Sequence, residues 1–331
     1  MKPLAPWLQS QLLSLMQRPG HAFLLQGPSG LGQYELGLAL ASAWLCHAPT
    51  ENGACGICPS CHGISVRAHA DLTVLMPEVN MLEWQWPLPE KSLKEIEDKK
   101  RKPSREIRVE AMRDMLSFSQ TTSAGVRGKV VLIHPAERMN HITANTILKT
   151  LEEPPGDTRF LLVSEAAHLL LPTLRSRCQT HHLTWPDAAP ALEWLSAQGV
   201  PSADAQVLLD AAGGRPEDAW ALAQGGLKAS TWLALPKAVA RGDAQALQAW
   251  APPQAVAVLQ KVCHDCLLLA VGAAPRFFPT QALPMGATLA ALTQWSKDLM
   301  ASAKTAEHPF NAGLMLEALV SQARGALQPP R

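Results

Sequence analysis

The stretch that most constrains this chain is Phe23-Leu24-Leu25-Gln26-Gly27-Pro28-Ser29-Gly30-Leu31-Gly32-Gln33-Tyr34. An apolar run, a Gly-rich turn and the start of a helix is the layout of a phosphate-binding loop, which needs Gly, four residues, Gly, Lys and then Ser or Thr. Gly27 and Gly32 have that spacing. Gln33 stands where lysine would neutralise the β- and γ-phosphates. Tyr34 stands where a small hydroxyl would meet magnesium, and its phenol oxygen lies several bonds further out. A backbone nest and a helix N-terminus still favour an anion, but the cation and the metal ligand are gone. The stretch therefore predicts a nucleotide-binding scaffold without its own chemistry.

A second strand tests that reading. Nucleotide-hydrolysing scaffolds place acids after a hydrophobic strand, where they hold magnesium and orient water. Here Val130-Val131-Leu132-Ile133 runs into His134-Pro135-Ala136-Glu137. His134 and Pro135 replace both acids, and Glu137 comes two to three positions late. A lone histidine in such a place is more often a packing or surface residue than a ligand. Two independent losses point to a chain that binds no ATP of its own.

Alternating patterns organise the first half. Strands are expected at 21–26, 70–76, 129–133, 159–164 and 179–183. Helices are expected at 6–18, 33–44, 109–119 and 144–152. Strands alternating with helices predict a mostly parallel α/β sheet. Residues 81–106 carry two tryptophans, three prolines and Lys99-Lys100-Arg101-Lys102. They read as an exposed charged insertion. A solvated loop is favoured over a DNA-binding patch, because Glu95, Glu97 and Asp98 sit beside the basic run. After Pro186 only helices are expected, with a break at Gly213-Gly214-Arg215-Pro216.

Cys46, Cys55, Cys58 and Cys61 form Cys-x8-Cys-x2-Cys-x2-Cys. Four close thiolates suit a closed, structural tetrahedral Zn²⁺ site. Reduced thiols or a disulfide are the alternatives, with His47 and His62 as neighbouring substitute ligands. Cys178 stands apart, and Cys263 and Cys266 lack a partner pair, so a place in a helix core is expected for them. The net charge of +1 argues against a protein that grips DNA alone, since that affinity rests on phosphate contacts. No apolar run is long enough to span a membrane, and the start of the chain lacks a signal core, so the expected compartment is cytoplasmic.

The runs Leu148-Lys149-Thr150-Leu151-Glu152-Glu153-Pro154-Pro155 and Ser176-Arg177-Cys178, with the altered loop and the four cysteines, resemble the clamp-loader AAA+ family. The resemblance implies a RecA-like α/β AAA+ domain over 1–185, with the zinc knuckle at 46–61 and the insertion at 81–106. A small helical lid over 186–226 and an all-α collar domain over 227–331 would follow. It implies that Cys46, Cys55, Cys58 and Cys61 hold zinc, and that Arg177 is an arginine finger acting on a neighbouring subunit's ATP. From the residues alone, Arg177 reads equally well as a helix-end cation meeting carbonyls. Ser164 matches the sensor-1 position, and Arg215 falls near sensor 2. The implied partners are the ATP-binding gamma/tau subunits and delta in a five-subunit ring, with the sliding clamp and primer-template DNA reached through the complex. The implied function is that of a subunit of the DNA polymerase III holoenzyme, a DNA-directed nucleotidyltransferase complex, with no ATPase of its own. An active AAA+ ATPase with altered motifs, or a stand-alone zinc nucleic-acid-binding protein, are the competing classes.

Overall fold

The computed structural model describes residues 4–306, 308 and 311–328. The remaining positions, at both termini and near 307–310, fall within the expected domain ranges but outside the described residues. The chain divides into two compact units, Met1–Pro186 and Asp187–Arg331.

In the first unit, five strands form one parallel sheet: β1 (Ala22–Gln26), β2 (Leu72–Leu75), β3 (Lys129–Ile133), β4 (Thr158–Ser164) and β5 (Gln179–His182). Their spatial order is β2-β3-β4-β1-β5. β1 pairs with both β4 and β5, Leu24 lying opposite Leu162 and Thr180. Central parallel strands are covered on both faces, so they read as unbroken apolar runs; every residue of β3 is buried. The helices are α1 (Pro6–Met16), α2 (Gln33–Leu45), α3 (Pro59–Ser65), α4 (Glu78–Glu83), α5 (Glu90–Glu97), α6 (Val109–Gln120), α7 (His141–Glu152) and α8 (Pro172–Arg175).

On one face, Leu24, Val131, Ile133, Phe160 and Leu162 pack with Met112 and Met115 of α6 and Ile147 and Leu151 of α7. Burying each such side chain stabilises by roughly 1.5–3 kcal/mol. On the other face α2 lies directly on β3 and β4. A Cβ built on Gly37 would come within 2.9 Å of both Leu132 and Val163, so glycine sets how closely this helix approaches the sheet. α7 begins three residues earlier than its apolar pattern suggests. The Asn140 side chain accepts from the Thr143 N–H at 3.0 Å, an N-cap that the periodicity of 144–152 does not reveal.

The second unit is helical throughout its described residues: α9 (Ala188–Ala197), α10 (Ser202–Ala211), α11 (Pro216–Gln224), α12 (Ala229–Arg241), α13 (Pro252–Ala270), α14 (Leu289–Thr305) and α15 (Ala312–Leu327). One small core joins α9, α10 and α11 through Leu195, Leu208 and Ala219. A larger one gathers Trp232, Val239, Leu259, Trp295 and Val320 from the remaining four helices. Cys263 and Cys266 are buried in it. Asp265 is fully buried and accepts from the main-chain N–H groups of Arg276, Phe277 and Phe278 at 3.0, 2.7 and 2.8 Å. Those bonds place Phe278 flat against Trp232, centroids 4.5 Å apart.

Candidate nucleotide-pocket remnant and metal centre

Gly30 and Gly32 lie at φ 74° and 87°, in the left-handed region that glycine enters without a Cβ penalty, and Gly32 caps α2. Gln33 is 2 % exposed. Its amide donates to the Gly27 and Pro28 carbonyls at 2.9 and 2.8 Å. The residue in the lysine position thus closes the turn on itself and carries no charge toward an anion.

Aromatic rings pack together beside the start of α2. Tyr34 lies 4.5 Å from Trp84 and 5.2 Å from His134, centroid to centroid. The Trp86 indole donates to the Tyr34 hydroxyl at 2.7 Å. Burial pushes the Tyr34 phenol up to about 12. It also pushes His134 down to about 4, against a hydrogen bond with the Val163 main chain that pulls the other way. His134 is therefore neutral near pH 7, and its Nδ1 is buried without a partner among the described residues. Glu137 accepts from the Glu165 N–H at 3.1 Å through Oε1, so it holds the end of β4.

Trp84 and Trp86 belong to the segment expected to be an exposed charged loop; most of it is exposed, but it is not a loop. The segment folds into α4, a turn and α5, with Met81 and Trp86 buried. Arg101 is an internal strut. Its guanidinium meets both oxygens of Glu78, and its Nε donates to Glu95 at 2.8 Å. Glu78 also accepts from the Ser104 N–H at 2.8 Å. Burial raises the Glu78 carboxyl, but Arg101 and Ser104 outweigh it and hold the group below its usual range. A bidentate pair at a buried carboxylate is the kind that orders a chain. The flanking Lys99, Lys100 and Lys102 remain solvated, as the charge pattern implied.

The expected family-specific residues fall as follows. Ser164 is fully buried at the end of β4. Its hydroxyl accepts from the Ala166 N–H at 3.2 Å, and its carbonyl accepts from the Gly27 N–H at 3.3 Å. Arg177 follows α8. Its Nε donates to Glu152 at 2.6 Å and its Nη1 to the Thr173 carbonyl at 2.7 Å. The finger candidate and the glutamate of the Leu-Lys-Thr-Leu-Glu-Glu run are therefore joined. Arg215, in the second unit, donates to the Ala212 carbonyl at 2.9 Å and pairs with Asp218 at 2.8 Å.

The four cysteines converge. Cys46 ends α2, Cys58 caps α3 and Cys61 lies on its first turn. Sulfur–sulfur separations are 3.8 Å for Cys46–Cys58, 3.9 Å for Cys55–Cys61, 3.5 Å for Cys58–Cys61 and 3.7 Å for Cys46–Cys61. Zn–S bonds of about 2.3 Å in a tetrahedron give edges of about 3.8 Å, so the donor set fits that ion. The separations are far beyond a disulfide. His47 and His62 are outside this cluster of donors among the described residues. The Cys61 N–H aimed at the Cys58 sulfur pulls that thiol down to about 6.

Two supporting residues escape any motif. Ser60 Oγ donates to the Leu45 carbonyl at 2.8 Å and meets His69 Nε2 at 2.8 Å. His69 Nδ1 accepts from the Asp71 N–H at 3.0 Å, so Nε2 carries the proton and donates to Ser60. This relay ties the knuckle to the end of α2 and to β2. Only a Ser inside the Cys-x2-Cys spacing hinted at it.

The fold is a parallel five-stranded α/β module with a Gly-rich turn after its first strand, followed in the chain by a helical unit. Residues 7–187 match the model of the family described as DNA polymerase III, delta subunit; the chain belongs to that family. It is similar to DNA polymerase III subunit delta′ of Pseudomonas aeruginosa, 40 % identical over 223 residues that cover 65 % of this chain and 60 % of that one. The corresponding protein of Escherichia coli K12 is 32 % identical over 226 residues, 66 % of this chain and 61 % of its own length. The matched stretch thus spans about three fifths of these relatives. Among solved structures, a gamma subunit-related protein of DNA polymerase III from Thermotoga maritima aligns at a TM-score of 0.49 and 15 % identity, covering 97 % of this chain and 100 % of its own.

Proposed function

We propose that this chain is a non-hydrolysing subunit of the DNA polymerase III clamp loader. In this reading it is an AAA+ scaffold that helps load the sliding clamp onto primed DNA in the cytoplasm, in a five-subunit ring with gamma/tau and delta. The observation that carries the reading is the filled pocket: Gln33 closes the turn, and Trp84, Tyr34 and His134 occupy the side where magnesium would be held. The residues that would bind and cleave ATP are replaced by side chains that satisfy one another, which supports a fixed structural role. Ser164 and Arg215, engaged in local hydrogen bonds, keep only packing roles here.

Arg177 is the group this subunit offers to chemistry, as a finger toward a neighbour's γ-phosphate. Its planar fork suits a phosphoryl group, and Glu152 orients it meanwhile. Cys46, Cys55, Cys58 and Cys61 hold one structural Zn²⁺, which closes the knuckle and supplies no open position for water. The two cores of the second unit support a lid over 186–226 and a collar domain over 227–331.

The test is reconstitution with gamma/tau and delta. The isolated chain should neither bind Mg-ATP nor turn it over, and leaving it out should abolish clamp loading. Stoichiometric Mg-ATP binding with turnover by the pure chain would return the active-ATPase reading.

A further inference from the structure

β2 is an edge strand, paired with β3 from Leu72 opposite Val130 to Leu75 opposite Ile133. In a parallel ladder, alternate residues direct both main-chain groups to the same side. The Asp71 and Leu75 carbonyls accept from Val130 and His134 N–H groups, each at 2.9 Å, so Asp71, Thr73 and Leu75 face β3. Val74 and Met76 face outward. Both are buried, and among the described residues no main-chain hydrogen bond reaches either from the outer side. Main-chain groups withdrawn from water without a partner are costly.

Beside this edge lies a cavity of about 690 Å³. Thr73, Val74, Leu75 and Met76 all border it, although successive side chains of a strand point to opposite faces; the edge itself is what the cavity meets. Ala111, Met115 and Phe118 of α6 give it apolar lining, and Leu88 and Ser92 line it as well. α5 buries none of its own residues, and among the described residues no strand pairs with the outer side of β2. The charges are one-sided. Arg101 is consumed by Glu78 and Glu95, and Arg108 leans toward Glu78 at 3.8 Å. Glu110 and Asp114 of α6 also line the cavity and have no ion pair among the described residues, with Lys91 and the loosely held Arg108 as opposing charges, so acids outnumber bases in the lining.

We propose that this groove receives an extended segment of another polypeptide, with alternating apolar and basic side chains, which adds as a sixth strand on the outer edge of β2. Strand addition explains together why the edge is unpaired, why a cavity follows it and why acids outnumber bases in its lining. β2 has four residues, so pairing extends over a segment of similar length. The inference does not depend on the clamp-loader reading.

The test is fluorescence anisotropy of the intact chain with a labelled alternating valine–lysine octapeptide. Three comparisons decide it: the same peptide with alternate main-chain nitrogens methylated, a valine–glutamate peptide, and the variants Val74→Pro and Glu110→Lys/Asp114→Lys. Saturable binding is expected, lost on methylation and weakened about tenfold or more by the acidic peptide or by either variant. Val74→Pro removes an N–H that points away from β3, so the sheet should persist; if that variant unfolds, the methylated peptide still decides. No binding, or equal binding of the methylated peptide, overturns the proposal. So does a dimer of the free chain that Glu110→Lys/Asp114→Lys dissociates, because the edge would then belong to a second copy.

Discussion

The indole of Trp84 lies nearly parallel to the imidazole of His134, with centroids 5.4 Å apart and planes 16° from each other. Fifty residues separate them in sequence, and one follows α4 while the other follows β3. Trp84→Ala should remove the shared wall of His134 and Tyr34. Because Trp84 is only half-buried, the expected cost is about 2 kcal/mol, below the range for fully buried tryptophan. Trp84→Phe should recover most of it. Urea midpoints of the three proteins are the measurement, and an unchanged midpoint for Trp84→Ala would show that the stack contributes nothing. Nucleotide binding should not appear in the variant, since Gln33 still closes the turn.

His134 gives the first unit a defined response to acid. An unfolded histidine takes up its proton near pH 6.5, whereas burial holds the folded ring at about 4. Between those values the unfolded chain binds a proton that the folded chain refuses. The stabilisation is therefore complete above about pH 6.5 and declines as pH falls toward 4, by roughly 3 kcal/mol in all. His134→Phe, which keeps a ring in the stack, should flatten the stability profile between pH 7 and 5. Equal slopes for the two proteins would assign the acid sensitivity to other groups.

The knuckle should hold one zinc per chain. Elemental analysis of protein purified without chelator checks the stoichiometry. Cys58→Ser should weaken retention and expose the 46–61 segment to proteolysis, while leaving the sheet folded, since the strands do not depend on that sulfur. Chelation of the wild type should reproduce the same cleavage pattern. A metal-free chain with an intact knuckle would argue that Ser60 and His69 suffice to hold it.

Arg177→Ala should leave folding and zinc content nearly unchanged, because its pair with Glu152 is partly solvated and such pairs contribute little. In the reconstituted assembly it should disable one ATP site. Fingers supply on the order of 10³ to 10⁵ in rate, but with other sites intact the total clamp-dependent turnover should fall only in part. Arg177→Lys should restore little, as a point charge lacks the planar fork. Wild-type turnover and clamp loading by Arg177→Ala would return the residue to its helix-end role beside Thr173 and Glu152.

Much of the first unit is legible in the sequence because its signals are local. The expected 129–133 strand is found as Lys129–Ile133, since a buried parallel strand declares itself as a short apolar run between turn residues, and 179–183 is found as Gln179–His182, although that edge strand is polar and mostly exposed. The four cysteines announce their cluster by spacing alone, and Gln33 and Tyr34 are visible as departures from the phosphate-loop pattern. What the sequence could not determine was where the charged insertion goes. Lys99, Lys100 and Lys102 make it look solvated, yet Arg101 in the same run is turned inward by Glu78, which precedes the segment, and by Glu95 within it. The unpaired outer edge of β2, the Ser60–His69 relay and the stack of Trp84 on His134 were equally hidden. Periodicity and turn chemistry reside in a few neighbouring residues, so one sequence reveals them. A hydrogen bond or ring contact across tens of residues depends on which surfaces the folded sheet brings together, and only the tertiary structure decides that.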